Sequence, residues 1–251
     1  MVKRLQDFAA LSFDCYGTLI DWETGLWASL QPLLDRINPA PSREAALARF
    51  AETEAQVQRE APGLRYAAVL AEVHRRLAAA WGAAPDEAAA SRFGAGVGDW
   101  PAFPDTPEAL RRLKQRYRLV ILSNVDNASF ARTLPRLGVA FDDVFTAEDI
   151  GSYKPDPRNF AYLIARLAER GIAREAILHV AQSLFHDHVP ANAAGLASAW
   201  IDRRAGAQGS GATVPPPQGV RWDFRFESLA ALADTCDPSP KPTATTQVRN
   251  S

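Results

Sequence analysis

The sequence predicts an α/β protein in which a parallel sheet carries a helical insert after its first strand. Three short apolar runs, Ala9 to Phe13, Leu119 to Leu122 and Ile177 to Ala181, each end in polar residues: Asp14, then Ser123 and Asn124, then Gln182 and Ser183. Buried strands of a parallel sheet read this way where they open into loops at their carboxyl ends. Stretches of helical length, Pro107 to Tyr117, Ala128 to Leu137 and Asn159 to Arg170, lie among them, and each is long enough for the crossover of a right-handed βαβ unit.

In chain order, the first run ends at Asp14 and is followed by Gly17, which puts Asp14 where open α/β sheets keep their chemistry. From Trp22 to Gly98 the chain is Ala-rich, and Leu47, Phe50 and Val57, then Val69, Val73, Leu77 and Trp81, recur at helical spacing. We read 21–99 as a helical insert over the first strand, although the same periodicity suits ordinary core helices. The run GDWPAFPDT (Gly98 to Thr106) marks the return, so the α/β core comprises 1–20 and 100–236. Ala205 to Gly219 is a Gly/Pro-rich loop, Val220 to Ala233 has room for a last short strand and helix, and the polar stretch 237–251 reads as a disordered tail.

Composition narrows the function. A chain of 251 residues, 47% hydrophobic and 23% charged, can bury a core without disulfides and has the balance of a folded protein. Its 28 basic and 29 acidic residues leave a net charge of −1, with no electrostatic footprint for nucleic acid or an anionic membrane, so a small molecule is the expected partner. Cys15 and Cys236 stand in unlike contexts and form no disulfide framework or metal set, which fits a reducing cytoplasm. Asp7 and Asp14 interrupt the N-terminus before a signal-peptide core can form, and no stretch approaches the roughly 20 apolar residues of a membrane span.

Candidate chemistry stands at the strand ends. A carboxylate at Asp14 can attack an electrophilic carbon or phosphorus where cations and donors hold it ionised and aimed. Lys154 precedes Pro155 and Pro157, so it occupies a turn that a helix cannot absorb and can point its ammonium at one place. Thr18, Ser123 and Asn124 supply hydroxyl and amide groups for an anionic substrate. Ser123 and Asn124 equally suit the N-cap of the helix from Ala128.

The segments FDCYGTL (Phe13 to Leu19), ILSN (Ile121 to Asn124), SYKPDP (Ser152 to Pro157) and HVAQSLFHD (His179 to Asp187), in that order, resemble the four motifs of the haloacid dehalogenase superfamily. The resemblance implies a Rossmann-like core with a helical cap and Asp14 as nucleophile. Superfamily phosphatases carry DxD in the first motif, where this chain has Tyr16, and an acidic fourth motif that completes a magnesium site, where it has Ala181, Gln182 and Ser183. Magnesium needs carboxylate oxygens to offset dehydration, so weak or absent metal binding and no cofactor are expected.

DxYGT resembles the L-2-haloacid dehalogenase branch, which implies attack on C2 of a 2-haloalkanoate, loss of halide, and hydrolysis of the ester to an inverted 2-hydroxy acid without metal. By that resemblance Tyr16 and Thr18 line the pocket, Ser123 and Asn124 bind carboxylate or halide, Lys154 steadies the aspartate and Asp187 lies near the water. Phe160 stands where the branch has Tyr, and Ser183 near its Ser and Asn, so both become candidate substrate contacts. His186 is expected to activate water, oriented by Glu23; the alternative is a capping role for Glu23 and a local backbone contact for His186. Arg49, near the branch's cap arginine, is the candidate carboxylate or halide contact, with a solvated helix position as its alternative. A homodimer accords with the branch. The competing functions are a magnesium-dependent phosphatase, a hydrolase of another C–X bond in a 2-substituted carboxylic acid, such as a ring amine, and a non-catalytic anion-binding module.

Overall fold

A computed structural model describes residues 3–206 and 218–236; the expected tail 237–251 and most of the Gly/Pro-rich loop lie outside the described residues. The strands are β1 (Ala10–Phe13), β2 (Arg118–Ser123), β3 (Asp143–Thr146), β4 (Ile177–Ala181), β5 (Ala197–Ile201) and β6 (Phe224–Phe226). Helices α1 (Trp22–Leu34), α2 (Arg43–Glu60), α3 (Tyr66–Ala80) and α4 (Glu87–Ala95) follow β1. The later helices are α5 (Thr106–Lys114), α6 (Asn127–Leu137), α7 (Ala147–Ile150), α8 (Pro157–Ala168), α9 (Val189–Ala193) and α10 (Leu229–Cys236), with a π-helical turn at Leu184–His188.

All six strands are parallel, in the order β3-β2-β1-β4-β5-β6. The order reverses beside β1, and the crevice at the carboxyl ends of β1, β2 and β4 is where an open sheet of this kind binds its ligand. The side-chain period of two divides each central strand between two apolar layers. Leu119 and Ile121 join the cluster that includes Leu110, Leu113 and the inner residues of α1 to α4, while Val120 and Leu122 join Phe160, Leu163 and Leu167 of α8 on the other face.

The three expected strands form, and β6 with α10 supplies the short closing strand and helix. Two strands, β3 and β5, were not expected: β3 reads DVFT and opens on a charge, and β5 reads ASAWI, with small residues in place of a branched run. The helix expected from Ala128 is capped by Asp126, whose Oδ1 accepts from the Ser129 N–H at 2.8 Å, and not by Ser123 or Asn124. Likewise Asp21, not Glu23, caps α1. The segments entering and leaving the helical region are stitched together: Asp21 N–H donates to Pro101 O and Phe103 N–H to Leu19 O, at 2.8 and 3.0 Å. Cys15 and Cys236 are buried and unpaired. No helix among the described residues is long and apolar enough to cross a membrane.

Candidate active site

The turn after β1 sets the geometry. Asp14 N–H donates to Val180 O of β4 at 3.1 Å, which ties the strand end in place. Gly17 has φ +100°, and a Cβ there would come within 2.9 Å of Trp22 Nε1, so the turn requires glycine. Thr18 then returns to the strand tip. Its Oγ1 accepts from Gln182 N–H at 2.9 Å, which directs its own proton to Asp14 Oδ2 at 2.7 Å.

Lys154 closes the other side. Its Nζ donates to Asp14 Oδ1 at 2.9 Å, Asp187 Oδ1 at 2.6 Å and Leu122 O at 2.9 Å, so an ammonium with three donors has all three engaged. Lys154 and Asp187 side chains are each 1% exposed. Asn124 pins the lysine's backbone: Nδ2 donates to Lys154 O at 3.0 Å and Oδ1 accepts from Lys154 N–H at 2.6 Å. Behind Asp187, His179 Nε2 lies 3.0 Å from Oδ1 and its Nδ1 lies 2.9 Å from Ser12 Oγ.

These contacts separate the two carboxylates. Burial would raise Asp187, but the Lys154 charge and His179 outweigh it and hold the group well below the usual carboxylate range. Burial raises Asp14, opposed by Lys154 and Thr18. Lys154 pairs with both carboxylates, and both line the cavity. No group of three or more His, Cys, Asp or Glu residues among those described could hold a metal ion, and the place between Asp14 and Asp187 is held by an ammonium. The two carboxylates that a magnesium ion would need are both committed to that ammonium.

The cavity over Asp14 is floored by Tyr16, Ser123, Lys154 and His186 and walled from the helical region by Trp22, Glu54 and Tyr66. Ser123 Oγ is buried with no hydrogen-bond partner, although it lines this cavity. An orphaned hydroxyl costs free energy unless a ligand completes it.

Residues 8–195 match the model of the haloacid dehalogenase-like hydrolase family. The chain belongs to that family. The (S)-2-haloacid dehalogenase of Pseudomonas fluorescens is 34% identical over 108 residues, which span 42% of this chain and 46% of that protein. The match thus covers about half the length of that relative. The (S)-2-haloacid dehalogenase H-109 of Pseudomonas putida is 28% identical over 216 residues, 80% of this chain and 88% of that one. The crystal structure of an L-2-haloacid dehalogenase superposes with a TM-score of 0.75 at 26% identity, covering 92% of this chain and 100% of the other.

In this haloacid dehalogenase-like hydrolase, Asp14, Tyr16, Ser123, Asn124, Lys154, Ser183, His186 and Asp187 all reach the cavity, and Thr18 touches it through Asp14. Asn124 braces the Lys154 backbone through its amide, and those two bonds leave one Nδ2 hydrogen uncommitted. Three expectations are corrected by contacts the sequence did not show. Phe160 is fully buried in the sheet layer, edge-on to His179 at 5.0 Å between ring centroids, and so meets no substrate. Arg49 points outward from α2 and pairs with Glu52 at 3.3 Å, its side chain 53% exposed. Glu23 meets Arg204 at 2.6 Å and lines a neighbouring cavity, so it does not orient His186. His186 is instead held by Ser183, whose Oγ lies 3.2 Å from Nδ1 and accepts the His186 N–H at 3.1 Å.

Sequence reasoning also missed Arg203, which donates to Thr18 O while pairing with Asp105, and Glu54. The signal for Glu54 was present: it falls four residues after Phe50 and three before Val57, inside the buried stripe of α2. Tyr66 Oη donates to its Oε1 at 2.6 Å. Glu54 is partly accessible from the cavity but closely surrounded by protein atoms, and burial pushes its carboxyl up to about 7. Between its ordinary value of 4.5 and about 7 the folded chain keeps a proton that the unfolded chain has released, so this group's stability contribution falls as pH rises across that window. Glu54→Gln is therefore expected to gain stability over wild type from pH 4.5 to pH 8, by on the order of 2 to 3 kcal/mol in urea denaturation. A wild-type-to-variant difference that stays constant with pH would contradict the burial of this carboxyl.

Proposed function

We propose that this hydrolase cleaves the carbon–halogen bond of small 2-haloalkanoic acids through an ester on Asp14, without a metal ion. The observation that carries this reading is the pairing at Asp14: Thr18 on one oxygen, Lys154 on the other, and Tyr16, with its hydroxyl turned to Thr133 at 2.7 Å, where a phosphatase would hold a second carboxylate. An alkoxide leaving from phosphorus needs a proton from such a group. A halide does not. The dehalogenases among its relatives support the same reading.

In the proposed reaction the Asp14 carboxylate attacks C2 in line with the C–X bond, halide departs with the bonding pair, and the configuration inverts. Loss of the Asp14 charge leaves Lys154 and Asp187 as a neutral buried pair. Whichever oxygen attacks, the other keeps a donor, Lys154 or Thr18, so the ester carbonyl stays polarised for the second step. Water then attacks the Asp14 carbonyl carbon and its proton passes to His186; the tetrahedral intermediate collapses by breaking the acyl C–O bond, the departing 2-hydroxy acid oxygen takes that proton back from His186, and Asp14 returns as a carboxylate. Burial holds His186 down to about 4, so it is neutral near pH 7, and donation of Nδ1–H to Ser183 leaves Nε2 as the acceptor. Ser123 Oγ receives the substrate carboxylate, and the helices α1 to α4 act as a cap that excludes water.

Halide release from L-2-chloropropionate that persists in EDTA tests the reading. Magnesium-dependent release of phosphate from p-nitrophenyl phosphate, with no halide release, would overturn it. A single turnover in H₂¹⁸O should place the label in Asp14 rather than in the product, because water attacks the protein carbonyl. His186→Ala should give one equivalent of halide at near-normal rate, then hydrolyse the ester roughly 10²- to 10⁴-fold more slowly, with the acyl adduct visible in the intact mass. Normal ester hydrolysis in that variant would show that His186 is not the base.

A further inference from the structure

We propose that Glu54 forms an ammonium-binding subsite in the cavity over Asp14, so that the preferred 2-haloacid carries a protonated amine on its chain and sets its carboxylate at Ser123. This rests on the reading above and names the substrate class within it.

The charges lining the cavity make the case. Asp14, Asp187 and Glu54 are its carboxylates, and Lys154 and His186 its basic side chains; no arginine lines it among the described residues. All three donors of Lys154 are engaged within the protein, and the His186 ring is neutral near pH 7. A plain 2-haloalkanoate would thus bring a further negative charge into a space with no unengaged cation. A substrate with its own ammonium arrives neutral overall and places a positive charge beside Glu54, which favours the ionised carboxylate over the protonated form that burial supports in the free protein.

Two further observations point to a ligand with unlike ends. Ser123, 2% exposed, lines the same cavity, and its Oγ is buried without a hydrogen-bond partner. The aromatic residues Trp22, Tyr16 and Tyr66 line the same cavity as Glu54, and aromatic faces attract a desolvated ammonium. Tyr66 Oη occupies one Glu54 oxygen; the second oxygen has no hydrogen bond described and is not among the sealed, unpartnered atoms. Placement in the apolar stripe of α2 is costly for an ionised carboxylate, and a cation bound beside it would offset that cost.

Calorimetry on the whole chain with ligands that lack a leaving group isolates binding from chemistry. The amines are 3-aminopropanoate, 4-aminobutanoate and 5-aminopentanoate, each set against its methyl isostere: butanoate, pentanoate and hexanoate. At one chain length or more the amine should bind wild type about 10- to 100-fold tighter than its isostere, as a charge-assisted hydrogen bond implies, and Glu54→Gln should remove the preference. Equal or tighter binding of every isostere to wild type overturns the subsite without any variant, and so does a preference that survives in a folded Glu54→Gln protein. Halide release from 2-chloropropionate is read separately. Release with no amine preference sinks the subsite and leaves the dehalogenase reading standing; a Glu54-dependent amine preference with no halide release from chloro derivatives of either series does the reverse.

Discussion

Replacing Asp14 by Asn is expected to remove halide release from L-2-chloropropionate, by roughly 10⁴-fold or more, since the variant lacks the atom pair on which the ester forms. The fold should survive. An amide oxygen can still accept from Thr18 or Lys154, and the change removes a carboxylate whose burial is unfavourable. The ester mass adduct should vanish together with activity, and circular dichroism and the urea midpoint should stay close to wild type. Retained halide release with no adduct on the protein would mean that water attacks the substrate directly, and Asp14 would then be no nucleophile.

Lys154→Met is expected to have the largest effect on stability. The substitution keeps an apolar stem of similar length but leaves Asp14 and Asp187 buried without their shared cation, a loss of about 3 to 5 kcal/mol by analogy with other broken buried pairs. The pH dependence has a definite sign. Asp187 is held below the ordinary carboxylate range by Lys154 in the wild type, so its stabilisation is present above the ordinary value and is lost as pH falls. In the variant both carboxyls rise and take protons as the pH drops, which relieves the unpaired charge. The deficit in urea denaturation should therefore be greatest near pH 8 and shrink towards pH 4. Adding Asp187→Asn should recover part of the stability but none of the halide release. Lys154→Arg should not restore activity, because a planar fork cannot place donors on Asp14, Asp187 and Leu122 O as an ammonium does. A deficit independent of pH would show that packing, and not charge, is what Lys154 contributes.

Much of the architecture is legible in the chain itself. The runs at β1, β2 and β4 are continuous and apolar because parallel strands are covered on both faces, and polar residues stand at their ends because the sheet stops there. The strands β3 and β5 were not legible, since DVFT and ASAWI owe their strand form to pairing with β2 and β4 and hardly to propensity. Within the site, Asp14, Thr18 and Lys154 could be singled out by position and residue type. Ser123 and Asn124 could not be told apart: they are adjacent at one strand end, and which of them braces Lys154 depends on where the Lys154 loop comes back. Helical phase decides between Arg49 and Glu54. The stripe through Leu47, Phe50 and Val57 already contained Glu54 and excluded Arg49, so that correction needed only a closer reading of period.

The sequence by itself determined the α/β class, the order of the strand-end motifs and the residue types available for attack, because these follow from local hydrophobic patterning and turn chemistry. Only the tertiary structure decided which groups share one cavity and in what charge state. Lys154 meets Asp14 across 140 positions of chain, and Glu54 faces the same space from α2. Burial and pairing set the ionisation of such groups, and both arise only once distant segments have been packed against each other.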